Sequence, residues 1–158
     1  MTHKKLGKIL ITGAGGFLGQ GILSSLESGY SLRLIDITPF HSKHEVLIGD
    51  VADLSFTQQI MQGIDYLVIA HMASRTYDKT TYQTPPRPFD ANVKGTANLF
   101  FSAQQQGIKK VVLISSISVI AAYEGLDFFP HDLPPLSTKD LYVLTKVCQA
   151  VSYTHLRA

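Results

Sequence analysis

Thr12-Gly-Ala-Gly-Gly-Phe-Leu-Gly19 separates a short apolar run from a segment whose apolar residues recur at helical spacing. Within it, Gly13, Gly16 and Gly19 keep three-residue intervals where a strand would become a helix. Glycine permits a tight turn and a close approach of a pyrophosphate, whose charge the free N–H groups of the helix start stabilise. The stretch predicts a dinucleotide-binding turn with Phe17 and Leu18 among its contacts.

Asp36 closes the second apolar run, roughly 20 residues beyond the turn, where a carboxylate can accept hydrogen bonds from ribose hydroxyls. A carboxylate also repels a 2′-phosphate, and no arginine directly follows Asp36. These features favour NAD over NADP as the cofactor. The alternative is a glycine turn with a purely structural role, against which the preceding strand, the following helix and Asp36 all argue.

Short apolar runs alternate with helical patterns along the whole chain. The predicted strands are Lys8–Thr12, Leu32–Asp36, Val46–Gly49, Tyr66–Ala70 and Lys110–Ser115. The predicted helices are Phe17–Glu27, Leu54–Gln62, Phe89–Gln106 and Thr138–Tyr153, with Gly29, Gly63 and Gly107 as helix stops. This alternation predicts an α/β fold, a Rossmann-type doubly wound parallel sheet. Ser74–Pro88 and Tyr123–Leu136 are irregular and follow strand ends, where such sheets bind ligands.

Composition narrows the function classes further. The chain has 158 residues, 45% of them hydrophobic, which predicts one domain with a hydrophobic core. Its net charge of +2, without a basic patch, argues against binding of nucleic acid. The apolar runs are far shorter than the ~18 residues of a membrane span, and the single Cys148 and the N-terminus without a signal peptide indicate the cytosol. We expect an NAD-binding domain over residues 1–150, incomplete at its C-terminus, and a truncated or foreign tail over 151–158.

Further motifs follow in a set order: Gly49-Asp-Val51, His71-Met-Ala-Ser74, Asn92-Val-Lys-Gly-Thr-Ala-Asn-Leu99, Ser115-Ser-Ile-Ser-Val119 and Tyr142-Val-Leu-Thr-Lys146. With the glycine turn and Asp36, they make the chain resemble the extended short-chain dehydrogenase/reductase family, which includes NAD-dependent sugar-nucleotide epimerases and dehydratases, from Lys8 to about Val147. The resemblance implies adenine contacts from Asp50 and Val51, a nicotinamide side lined by Ala70, His71 and Ala73, and support of the active-site helix by Asn92. His71 could instead be a packed histidine, and Asn92 could satisfy buried backbone groups. We assign proton transfer to neither His71 nor Asn92.

Tyr142 and Lys146 are the predicted catalytic pair. Four residues apart, they share one helix face, so the ammonium can lie near the phenol and favour the phenolate, which would act as general base. Ser116 would hydrogen-bond the reacting oxygen, with Ser115 and Ser118 as neighbours that could be confused with it; alternation along an extended segment would point Ser116 and Ser118 the same way. An ordinary amphipathic helix pair is the alternative for Tyr142 and Lys146.

These residues support hydride transfer at a hydroxyl-bearing carbon. The resemblance implies that the substrate is a sugar or sugar nucleotide and that the protein is a homodimer. It argues against a 4,6-dehydratase, because those enzymes carry an acidic pair directly after their catalytic Ser or Thr, where this chain has Ile117 and Ser118. The alternatives are a dehydrogenase of a steroid-like or other alcohol, and an inactive dinucleotide-binding fragment, since family members extend about as far again beyond the Tyr-Lys helix. His41 and His44 have no third ligand at metal-site spacing, so no metal site is predicted.

Overall fold

One parallel sheet organises the described part of the chain, which comprises residues 5–71, 88–120 and 141–155 of the computed structural model. Its strands lie in the order β3-β2-β1-β4-β5 and all neighbours are parallel. They are β1 (Lys8–Thr12), β2 (Ser31–Asp36), β3 (Glu45–Ile48), β4 (Tyr66–Ile69) and β5 (Lys110–Leu113). The strand order reverses beside β1, which opens a crevice at the carboxyl ends of β1 and β4. The predicted Rossmann-type fold is confirmed.

Helices connect these strands and cover the sheet. They are α1 (Phe17–Leu26), α2 (Leu54–Ile60), α3 (Thr96–Gln105) and α4 (Leu141–His155). The predicted helix Phe89–Gln106 is divided, because Phe89–Gly95 is wound as a π-helix and passes into α3. The predicted irregular segments, Ser74–Pro88 and Tyr123–Leu136, lie outside the described part except for Pro88, which has helical backbone angles and directly precedes the π-helix. Helix α4 continues into the expected tail. None of the described helices combines the length and the apolar character needed to cross a membrane.

The core consists of two apolar layers, one on each face of the sheet. Successive residues of β1 point to opposite layers: Leu10 packs with residues of α2 and α3, whereas Ile9 and Ile11 pack with residues of α1. Burying one such side chain stabilises the fold by roughly 1.5–3 kcal/mol. Because both faces are covered, the strands are almost continuously apolar, as parallel sheets require.

Two of the predicted helix stops adopt the left-handed conformation that favours glycine. Gly63 follows α2 with a φ of +70°, and Gly107 follows α3 with a φ of +64°. At the other end of α2, the Asp53 carboxylate accepts hydrogen bonds from the backbone N–H groups of Ser55 and Phe56, at 2.8 and 3.3 Å. The two glycines thus lie where the chain leaves a helix to enter the next strand, and Asp53 fixes where α2 begins after β3.

Candidate active site

The turn between β1 and α1 and the first turn of α1 have no room for a side chain at Gly13 and Gly19. A Cβ atom on Gly13 would lie 2.5 Å from the Cα of His71, and Gly13 has a φ of +66°. A Cβ atom on Gly19 would lie 2.2 Å from the carbonyl oxygen of Gly13. Gly16 is less crowded, with 3.3 Å to the same oxygen. The backbone of the turn is therefore packed against the end of β4 and against the first residues of α1.

Asp36, the last residue of β2, lies against this turn. Its Oδ2 accepts a hydrogen bond from the Gly15 N–H at 2.9 Å, and its Oδ1 accepts one from the Thr38 N–H at 3.1 Å. A Cβ atom on Gly15 would lie 3.1 Å from Asp36 Oδ2 and 3.0 Å from Phe40 Cδ1. The carboxylate is thereby held at the edge of the crevice, where its charge suits a ribose diol and opposes a 2′-phosphate.

A cavity of about 570 Å³ occupies the crevice. Apolar residues that the sequence analysis missed, Ile37, Pro39 and Phe40, form part of its lining, and a lone aromatic four residues after Asp36 was the available signal. Of the predicted site residues, five lie outside the lining: Gly19, Asn92, Ser116, Tyr142 and Lys146. Ala73 lies outside the described residues. The predicted residues that line the cavity are Gly13, Gly16, Phe17, Leu18, Asp36, Asp50, Val51, Ala70 and His71. The glycine turn, the helix start and the carboxylate at one cavity fit a dinucleotide.

His71 joins this turn to the π-helix. Its Nε2 lies 2.8 Å from the carbonyl oxygen of Ala91, which can only accept, so Nε2 carries the proton. Its Nδ1, at 2.9 Å from Thr12 Oγ1, then accepts a hydrogen bond from the Thr12 hydroxyl. Burial lowers the pKa of His71 to about 4. The ring is therefore neutral at neutral pH, with both nitrogens engaged, as in the packed histidine considered above.

Val51 links the cavity to the start of α3. It is buried, and a Cβ atom on Gly95 would lie 2.5 Å from its Cγ2. Its carbonyl oxygen accepts a hydrogen bond from Asn98 Nδ2 at 3.1 Å. The π-helix thus ends on a residue without a side chain, and that vacant volume is filled by Val51.

Asn92 connects the π-helix with α4. Its side chain is fully buried, and its Nδ2 donates to Thr145 Oγ1 at 3.0 Å. The Thr145 hydroxyl donates in turn to the carbonyl oxygen of Tyr142 at 2.8 Å. Asn92 therefore contacts α4 between the two predicted catalytic residues, where the predicted supporting role requires it. The sequence analysis missed Thr145, although it directly precedes Lys146.

Tyr142 and Lys146 are both buried, with 7% and 1% of their surface exposed. Lys146 Nζ donates to the carbonyl oxygen of Ile114 at 3.1 Å and to Gln149 Oε1. Ile114 directly follows β5, so the ammonium lies at the carboxyl edge of the sheet. Burial lowers the pKa of Lys146 to about 8, so the side chain is mostly charged at neutral pH.

Ser116 directly precedes a short 3₁₀ helix, Ile117–Ile120, that follows β5. Its carbonyl oxygen accepts the Val119 N–H at 3.1 Å, and Ser116 is half-buried. Residues 117–120 are helical, so the extended backbone from which the alternation of Ser116 and Ser118 was expected is not present there. The side chain of Ser118 lies outside the described part.

The histidines in the loop before β3 show no metal-site geometry. His44 Nε2 lies 3.2 Å from Glu27 Oε2, an ordinary surface contact. Across residues 5–71, 88–120 and 141–155, His, Cys, Asp and Glu side chains form no group of three or more that could hold a metal ion. Cys148 is half-buried on α4 and has no disulfide.

Known proteins resemble this chain over nearly its whole length. The NAD dependent epimerase/dehydratase family matches residues 9–158. A 3 beta-hydroxysteroid dehydrogenase/Delta 5-->4-isomerase of Mycobacterium tuberculosis is 32% identical over 90% of this chain and 41% of its own. An NAD-dependent glucose-6-phosphate dehydrogenase of Haloferax volcanii is 31% identical over 80% of this chain and 50% of its own.

A solved structure, MoeE5 in complex with UDP-glucose and NAD, superposes on this chain with a TM-score of 0.79 and 26% identity. The match covers 96% of this chain and 50% of that one. The chain thus spans about half the length, or less, of the proteins it resembles.

Proposed function

The chain belongs to the NAD dependent epimerase/dehydratase family and its cofactor is NAD; from that premise we propose that it carries the cofactor site and catalytic residues of an oxidoreductase or epimerase. The reaction is hydride transfer at a hydroxyl-bearing carbon of a sugar or sugar nucleotide. The observation that carries the proposal is a pair of linked contacts: His71, in the cavity lining, bonds the Ala91 carbonyl, and the adjacent Asn92 bonds Thr145 on α4. This chain of contacts ties the catalytic pair to the cofactor cleft.

The cofactor would be held mainly by backbone. The N–H groups at the start of α1 bind the pyrophosphate, Asp36 accepts from the adenosine ribose, and Asp50 and Val51 meet the adenine. Ala70 and His71, with Ala73, line the nicotinamide side. When bound, NAD supplies the hydride acceptor, and the protein supplies orientation and proton transfer.

Proton transfer falls to the helix face of α4. Tyr142 takes the proton from the substrate hydroxyl in oxidation and returns it in reduction. Lys146, charged at neutral pH, favours the phenolate and binds the nicotinamide-side ribose. Ser116 donates to the reacting oxygen and stabilises the charge that develops there. Asn92 holds Thr145 and so the backbone of α4 beneath this pair.

Two relatives support different substrates. A sugar is supported by the resemblance to a glucose-6-phosphate dehydrogenase and to a protein bound to UDP-glucose. A steroid-like alcohol is the second candidate, because the M. tuberculosis relative is named as a steroid dehydrogenase and matches slightly better in identity. Net oxidation and epimerisation use the same hydride step, so the residues of this chain support both.

The test begins with calorimetric titration of the 158-residue chain with NAD and with NADP, which should give tighter binding of NAD. Turnover is then followed by absorbance of the reduced cofactor with UDP-sugars, hexose phosphates and hydroxysteroids. Tyr142→Phe should abolish turnover, by at least about 100-fold, with NAD affinity within about twofold, because the hydroxyl acts in proton transfer. Tyr30→Phe is the control, since Tyr30 packs on Tyr66 away from the cavity.

The outcomes separate the alternatives. Equal turnover by Tyr142→Phe and the wild type would refute the assigned role of Tyr142. NAD binding without turnover of any substrate class would identify the chain as a dinucleotide-binding fragment. Tighter binding of NADP than of NAD would refute the role of Asp36.

A further inference from the structure

Lys146 belongs to a buried network that extends away from the cavity. Its ammonium donates to the carbonyl oxygen of Ile114 and to the side-chain oxygen of Gln149. Gln149 Nε2 in turn donates to Thr96 Oγ1 at 2.7 Å. All three side chains are at most 1% exposed. Three elements are therefore joined through Lys146 and Gln149: the end of β5, the start of α3 and the middle of α4.

The chemistry of the donors determines how the Gln149 amide is oriented. An ammonium has three N–H donors and no acceptor, so the amide oxygen must face Lys146. The amide NH₂ then faces Thr96, whose hydroxyl oxygen accepts. Lys146 thus sets the orientation of the Gln149 amide, and Thr96 accepts from the NH₂ group that this orientation presents. The two oxygens that accept from this buried ammonium, the Ile114 carbonyl and the Gln149 amide oxygen, are both neutral. A buried charge costs free energy unless such acceptors remain in place.

We propose that Gln149 is a positioning residue for Lys146, and that Thr96 fixes the amide of Gln149. Gln149 and the Ile114 carbonyl hold the ammonium at the carboxyl edge of the sheet and engage two of its N–H groups. The third is available to a ribose hydroxyl of NAD. This inference rests on the proposed function in one respect, since it takes NAD as the ligand that Lys146 contacts.

A purely structural glutamine would have different consequences. If Gln149 only filled the core, its replacement would lower the stability of the fold and leave the protonation of Lys146 unchanged. If it positions the ammonium, its replacement changes both the pKa of Lys146 and the affinity for NAD. His71 has a charge interaction with Lys146, and with a pKa of about 4 it stays neutral throughout an alkaline titration.

The experiment uses the whole 158-residue chain and two readouts. The first is the ¹³Cε resonance of Lys146 followed from pH 6.5 to 10, assigned by its absence in Lys146→Met. The wild type should titrate near pH 8, because burial lowers the pKa of Lys146 to about 8. The second readout is the Kd of NAD at pH 7, measured by calorimetry.

Gln149→Leu should weaken NAD binding about tenfold and lower the titration midpoint by about one pH unit, since the ammonium loses one charged hydrogen bond. Gln149→Glu should restore affinity to within about threefold and raise the midpoint above that of the wild type, because a carboxylate favours the ammonium. Thr96→Val should move both readouts in the direction of Gln149→Leu, but less. Exposed Gln104→Leu, on α3, is the control and should change neither.

Each result decides the inference. An unchanged midpoint and an unchanged Kd in Gln149→Leu would overturn it and leave Gln149 as a core residue. If Gln149→Leu fails to fold, Gln149→Glu and Thr96→Val decide instead, and midpoints equal to the wild type in both would overturn it. Failure of the wild type to bind NAD would refute the proposed function, while the titration midpoints would still test the link between Gln149 and Lys146.

Discussion

The two sides of the site are built in different ways. The turn half, residues 12–19 with Asp36, is made of backbone packed so closely that a Cβ atom on Gly13 or Gly19 would overlap other backbone atoms. The helix half, Asn92 with residues 142–149 of α4, is made of buried polar side chains that hydrogen-bond one another. The predicted dinucleotide contacts thus depend on the absence of side chains, and the position of the predicted catalytic pair depends on their presence.

This difference also appears along the chain. The turn half is nearly continuous in sequence, and its members are joined by short-range backbone geometry. The partners of the helix half are far apart, since Asn92 contacts Thr145 and Thr96 contacts Gln149, each 53 residues away. The helix half therefore depends on the packing of α3 against α4, whereas the turn half depends on β1, α1, β2 and the end of β4.

Gly19→Ala tests the turn half and should have the largest effect. Its Cβ atom would lie 2.2 Å from the Gly13 carbonyl oxygen and 2.6 Å from the Ala14 Cα, and rigid backbone cannot relax cheaply. We expect a loss of at least about 3 kcal/mol in the free energy of unfolding, measured by urea titration. Gly21→Ala, also in α1 but with nothing within 4 Å, should instead gain about 0.5–1 kcal/mol. Equal stability of the two variants would contradict the steric argument.

Asn92→Ala tests the helix half. It removes a fully buried amide that donates to Thr145, so we expect a loss of about 2–3 kcal/mol in the free energy of unfolding. Asn98→Ala is the matched control: Asn98 is half-buried and donates to the Val51 carbonyl, and its loss should cost about 1 kcal/mol. If Asn98→Ala cost as much as Asn92→Ala in the same urea titration, the helix half would not depend on its buried amide.

His71 lies between the two halves, and its effect should depend on pH. Its folded pKa of about 4 lies below the ordinary 6.5, so the unfolded chain binds the proton first and stability is lost as pH falls from 6.5 towards 4. Between pH 7 and pH 5 the free energy of unfolding, measured by urea titration, should fall by about 2 kcal/mol. His71→Asn, which does not titrate, should lack this dependence. An equal loss in both proteins would assign the effect to other groups.

Sequence reasoning predicted the turn half and the fold better than the helix half. The strands, the glycine turn and Asp36 follow from local patterns, since chain geometry alone brings residues 13–19 together. Gln149 lies three residues after Lys146 on the same helix, a local signal that the sequence analysis did not use. Thr96 and the Ile114 carbonyl could not be found in this way, because they reach Gln149 and Lys146 only through packing of distant elements. The π-helix was also missed: the apolar spacing of Phe89–Gln106 fits one helix, and the insertion shows only in the backbone. The roles of Ser116, Tyr142 and Lys146 stay predictions.

The fit between Gly95 and Val51 has a consequence for how this protein can change over time. Any side chain at position 95 would overlap the Val51 Cγ2, which lies 2.5 Å from the place of its first atom. Alanine at 95 therefore requires the Val51 side chain to shift or to become smaller, whereas alanine at 51 leaves a small void that alanine at 95 can fill. The effects of the two substitutions on stability are therefore expected to be non-additive, with Val51→Ala lowering the cost of Gly95→Ala.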